Sequence, residues 1–91
     1  MPGPDFGQAS TYGAGYAGLI AVPHHGRWVV RITWHGRSVI RETNDYGPDQ
    51  RIFPHRVIDL DAATFEALSG ESWTKGLLSS VAVVYLRYLG P

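Results

Sequence analysis

The sequence predicts an all-β domain: a small barrel of six strands with one short helix late in the chain. Three observations carry this. Trp28, Val30, Ile32 and Trp34 alternate with Val29, Arg31 and Thr33, the two-residue period of a strand whose faces differ. Gly and Pro punctuate the rest into short segments, such as Pro23, Gly26, Gly36, Gly47-Pro48 and Gly70. Only one stretch, Ala62 to Leu68 before Gly70, reads as a capped helix. Curling short strands into a barrel leaves few exposed edges.

At 91 residues the chain is one domain. A chain of this size buries only about two-thirds of its unfolded surface, so its core is modest. Three tryptophans and five tyrosines supply bulky packing residues. There is no cysteine, so disulfides and thiolate chemistry are excluded. Formal net charge is zero with histidine neutral. This excludes the basic excess of a general nucleic-acid binder and a polybasic membrane segment. No apolar run approaches the roughly 20 residues that span a bilayer.

In chain order, residues 1–8 read as a flexible Gly/Pro-rich arm and residues 9–91 as the barrel domain. The arm has no basic segment followed by an apolar one, so no signal peptide is expected. Ala9–Tyr12 begins the first strand. Gly13, Gly15 and Gly18 then interrupt it, and without a Lys-Ser/Thr ending they read as turns rather than a phosphate cradle. Leu19–Val22 is a short buried strand stopped by Pro23. His24-His25-Gly26 is a loop. The strand through Trp28 and Trp34 turns at His35-Gly36 and returns as Ser38–Thr43, with Val39 and Ile40 as its apolar residues. Residues 49–54 are a loop with Ile52 and Phe53 tucked inward. Arg56–Ile58 is a short strand.

A helix follows from Ala62 to Leu68. Asp59 or Asp61 caps it, because a carboxylate accepts the unpaired first-turn N–H groups. Phe65 and Leu68 face the core, and Gly70 ends the helix. A loop holds Trp73, and Ser80–Tyr88 is the last strand. Trp28 and Trp34 read as core or rim residues. Arg27, Arg31, Arg37, Arg41 and Arg51 read as a solvated barrel surface.

The stretch around which the chain is organised is Asn44-Asp45-Tyr46-Gly47-Pro48, a tight turn presenting a carboxylate straight after a strand. Arg56-Val57-Ile58-Asp59-Leu60 presents a second carboxylate at a strand-to-helix junction. Either carboxyl group is a candidate for acid/base work. Each has a structural alternative: Asp45 as an Asx-turn residue bonding its own backbone, and Asp59 as a helix cap or partner of Arg56. Four histidines raise a zinc reading, but no pair has helix or finger spacing, so no metal is expected.

Ala9-Ser10-Thr11-Tyr12-Gly13, Gly36-Arg37-Ser38-Val39, Asn44-Asp45-Tyr46-Gly47-Pro48 and Arg56-Val57-Ile58-Asp59-Leu60, in that order, resemble the double-psi β-barrel of rare lipoprotein A-like proteins. That group is related to expansins and to bacterial wall-lytic enzymes, and the resemblance spans residues 9–89. It implies a six-stranded double-psi barrel with a groove over the Asp45 turn. It implies a peptidoglycan substrate, no cofactor, and lytic transglycosylase activity with Asp45 as general acid/base. Asp59 and Glu42 are further catalytic candidates, Glu42 standing in for a glutamate that the short segment 13–26 lacks. Tyr12, His24, His25, Asn44 and Tyr46 are the candidate substrate contacts.

The alternative is a non-catalytic wall-binding or structural module, a phage tail component for example. It would work with protein assembly partners or as a homo-oligomer. The shortened segment 13–26 favours it. A virion component reaches the wall by assembly, which agrees with the lack of a leader; otherwise the expected location is cytoplasmic.

Overall fold

The computed structural model describes residues 1–91. It is mostly β, with seven strands and one short α-helix. The strands are β1 (Asp5–Gly13), β2 (Ala21–Val22), β3 (Arg27–Trp34), β4 (Arg37–Glu42), β5 (Asp45–Tyr46), β6 (Arg56–Asp61) and β7 (Leu77–Gly90). The helix α1 (Ala62–Ser69) follows β6 directly, and a single 3-10 turn covers Trp73–Lys75. All seven strands join one curled sheet in the order β4-β3-β7-β1-β6-β2-β5. The count exceeds the six expected because the Asp45-Tyr46 turn itself pairs as a two-residue strand. No helix is long and apolar enough to cross a membrane.

The hairpin of β3 and β4 forms where the alternation placed it, around a His35-Gly36 turn with both residues at positive φ. Its inward residues Val30 and Ile32 are fully buried, and Trp28 is nearly so. Two pairings are parallel, β1 with β6 and β2 with β5, and these need crossover connections rather than tight turns. The longest strand, β7, is interior to the sheet and pairs with β1 on one side and β3 on the other. Opposite β1 it carries a bulge: Gly7 pairs with Val81 but Ala9 pairs with Leu78, so Ser79 and Ser80 together face Gln8. Ser80 takes a left-handed φ of 60° there. The bulge lets one long strand curl around the core.

The first strand begins at Asp5, inside the segment expected as an arm. Asp5, Phe6 and Gly7 pair with Val83, Ala82 and Val81 of β7, which leaves only residues 1–4 outside the sheet. Glycine in this segment serves packing rather than looseness, since a Cβ on Gly7 would run into the His55 carbonyl oxygen. The inward placement expected for Ile52 and Phe53 is also corrected. Ile52 is 66 % exposed and Phe53 42 % exposed. The turn around Asp49 accepts the N–H groups of both residues, holding them outside the sheet.

Helix α1 closes one end of the core. Of the two cap candidates, Asp61 takes the role: its Oδ1 accepts from Thr64 N at 3.2 Å, and its Oδ2 accepts from Gly18 N at 2.8 Å. One carboxylate thus caps the start of the helix and fastens the glycine-rich turn. Phe65 and Leu68 are fully buried among Val22, Ile32, Ile58, Leu60, Leu78, Val81 and Val83. Gly70 ends the helix in the left-handed conformation and donates to Glu66 O.

Candidate functional site

The Asp45 turn is held from beneath. Thr43 is buried; its N–H donates to Trp28 O at 2.8 Å and its Oγ1 accepts from Trp28 N at 2.9 Å. Asn44 follows as a clip: its Oδ1 accepts from Ile20 N at 2.9 Å, and its Nδ2 donates to Gly18 O at 2.7 Å. These bonds use both ends of the amide, so Asn44 positions the turn instead of offering itself to a ligand.

Thus anchored, β5 places Asp45 beside Ala21 of β2, and on the other side of β2 the same Ala21 pairs with Asp59 of β6. The two carboxylates are therefore register partners of one small residue and lie on one face of the sheet, about 10 Å apart at the backbone. Gly47 lies against Asp59 and Ala21, a Cβ there falling 3.8 Å from Asp59 Oδ2 and 4.0 Å from Ala21 Cβ, and its φ of 144° is one that side-chain-bearing residues rarely adopt.

Each carboxylate is met by a hydroxyl from β1. Tyr12 Oη donates to Asp45 Oδ2 at 2.6 Å, and Ser10 Oγ donates to Asp59 Oδ1. Asp45 Oδ1 also accepts from Tyr46 N at 2.9 Å, so the residue bonds both its own turn and a distant strand. Burial pushes the Asp59 carboxyl above the usual range; the Ser10 hydroxyl and the Arg56 charge pull it down, and the Asp45 charge raises it again. Tyr12 is held well above its ordinary value, first by burial and then by its bond to Asp45.

Beside Asp59 opens a cleft of ≈ 490 Å³, lined by Ser10, Thr11, Tyr12, Phe53, Arg56 and Lys75 among others. A smaller hollow on the far side of the turn is lined by Asn44, Asp45 and Tyr46 with Gly26 and Arg27.

The remaining candidates divide. Tyr12 is in the site. Tyr46 is exposed and stacks flat on His25 at 4.0 Å between ring centroids, which makes a small aromatic shelf next to Asp45. His24 is turned elsewhere: its Nε2 lies 2.9 Å from Asp5 Oδ2, and it meets Tyr85 edge-on. Glu42 ends β4, exposed, opposite Val29, and makes no hydrogen bond to the site. Asp59 neither caps the helix nor forms a contact ion pair with Arg56; the guanidinium lies instead over the Phe53 ring at 4.1 Å. Ser10, Arg56 and Lys75 belong to the site without having been singled out for it. Ser10 stands two residues before Tyr12 on one strand, and that period was the available signal.

No family model and no curated protein matches this chain.

Proposed function

We propose that the chain is a peptidoglycan-directed module of the rare lipoprotein A-like, double-psi kind, with lytic transglycosylase chemistry at the Asp59 cleft and the Asp45 turn beside it. The carrying observation is the pairing of both carboxylates to Ala21, each with its own hydroxyl donor from β1. The fold reading rests on two parallel pairs, β1–β6 and β2–β5, within a small mixed sheet.

The roles divide between the two groups. Asp59, which burial inclines to keep its proton, is suited to protonate the glycosidic oxygen as the bond breaks. Asp45, which accepts the Tyr12 hydroxyl at 2.6 Å, is placed to take the proton from the sugar hydroxyl that closes the anhydro ring. The proton then returns to Asp59 through solvent. The resemblance assigns both steps to Asp45; the surroundings of the two carboxyls favour sharing them.

The test is digestion of purified peptidoglycan with mass spectrometry of the soluble products. Anhydro-sugar ends are expected with the wild type and not with Asp45→Asn or Asp59→Asn. Reducing ends instead would mean hydrolysis. Release of nothing between about pH 5 and pH 8 overturns the enzymatic reading.

A second reading, a wall-binding or assembly module of the phage tail type, is favoured by the outward face of the sheet. Phe6, Ile40 and Leu86 are exposed there on β1, β4 and β7. A complex of fixed stoichiometry with an inactive cleft would select it.

A further inference from the structure

The charged side chains lining the cleft are Asp49, Arg56, Asp59 and Lys75. Three are already satisfied. Asp49 accepts from Arg51 Nε and Nη2 at 3.2 and 3.1 Å. Lys75 Nζ donates to Glu71 Oε2 at 2.8 Å. Asp59 accepts from Ser10. Arg56 is the exception: its guanidinium makes no hydrogen bond or ion pair.

The side chain is nonetheless held in place. Arg56 N donates to Phe53 O at 3.1 Å, and Arg56 O accepts from Gln50 Nε2 at 3.0 Å, which fixes the backbone. The guanidinium then lies 4.1 Å from the centroid of the half-exposed Phe53 ring. Cation–π contact of this kind orients the plane of the guanidinium while leaving its N–H edge free. A planar fork of donors, pre-oriented and without a partner, is complementary to a carboxylate, which it can bind through two parallel hydrogen bonds.

We infer that Arg56, backed by Phe53, is the subsite for a carboxylate carried on the glycan, so that the cleft takes an acidic sugar and sets its register. This rests on the glycan reading of the same cleft. The acidic unit, of the lactyl-ether (muramic acid) type, lies over Arg56. The adjoining neutral amino sugar extends toward Tyr12 and Asp45, whose bond links the cleft to the turn. The scissile oxygen then falls between Asp59 and Asp45. A neutral glycan lacks the group that fixes this register, and a lactyl group converted to an amide offers Arg56 only a neutral carbonyl.

The test compares three ligands of equal length by calorimetry: an N-acetylglucosamine oligomer, a glucosamine–muramic acid oligomer with free lactyl carboxylates, and the same oligomer with those carboxylates amidated. A free stem peptide is the fourth arm. The wild type is expected to bind the free acid about tenfold more tightly than the amide, as one charge-assisted pair would give. Arg56→Gln is expected to erase that ratio while still binding the neutral oligomer, and Arg56→Lys to keep part of it. Equal binding of acid and amide by the wild type overturns the assignment, as does a ratio that survives Arg56→Gln. Binding of the stem peptide with the same Arg56 dependence, and of no sugar, moves the carboxylate from sugar to peptide and also overturns it. Failure of the inference leaves glycan binding intact, whereas binding of none of the oligomers overturns the glycan reading itself.

Discussion

Tyr12 and Asp45, 33 positions apart, are joined by a hydrogen bond of 2.6 Å from the phenol to the carboxylate. This bond ties the first strand to the turn that follows the hairpin. Tyr12→Phe removes the donor and keeps the ring. Under the proposed roles it lowers the rate of anhydro-product release by about tenfold, while Asp45→Asn, which removes the proton acceptor, lowers it by about 10²–10⁴-fold. Initial rates on one peptidoglycan preparation check both, and a Tyr12→Phe loss as large as that of Asp45→Asn would contradict the division of roles.

Asp59 and Asp61, two residues apart, bend the stability–pH curve in opposite directions. Burial raises Asp59, so its contribution to stability is fully present below the ordinary carboxylate value and is lost as pH rises through its raised pKa. Burial also pushes Asp61 upward, but bonds from Thr64 and Gly18 outweigh it and hold that carboxyl low. Its contribution is present above the ordinary value and is lost as pH falls through the depressed one. Asp59→Asn should therefore flatten the decline on the alkaline side of pH 4 or so, and Asp61→Asn should soften acid unfolding. Melting temperatures across a pH series check both signs.

Asp61→Ala removes the helix cap and the acceptor for Gly18 together. A lost cap costs about 1 kcal/mol, and an orphaned N–H adds about as much where water cannot reach it. For a domain of this size the melting temperature falls by roughly 4–8 °C per kcal/mol. Calorimetry of Asp61→Ala beside Asp61→Asn separates the cap from the charge.

Phe65→Ala empties the centre of the core, since Phe65 is fully buried and α1 has no other large aromatic. The expected loss is about 3–5 kcal/mol, against a total stability of about 5–15 kcal/mol for small domains. Denaturant unfolding should show a much lower midpoint with an unchanged slope.

Local signals in the sequence proved reliable where the interaction is local. The helix cap, the stop at Gly70 and the β3–β4 hairpin depend on residues a few positions apart; the stop and the hairpin stand where expected, and the cap falls to Asp61, one of the two candidates. The parallel pairing of β1 with β6 is different, because Ser10 meets Asp59 across 49 positions and neither carries a mark of the other. Asp5–Gln8 shows the same limit: a segment rich in Gly and Pro looks loose until β7 supplies its partner. In the site, the Asp45 turn and Tyr12 were legible from residue type. Arg56 was not, because its distinction is the absence of a partner, which only the packed molecule reveals.

The long strand β7 lies between β3 and β1, yet it is synthesised after both. Without β7, the β3 edge of the hairpin and the β1 edge of the β1–β6 pair would both be open. No strand pairing joins them until Leu77–Gly90 has left the ribosome. Assembly is therefore dominated by long-range contacts, which places this small domain among the slower folders of its length. During that interval the two open edges are where a chaperone would hold the chain, or where a second nascent copy would mispair.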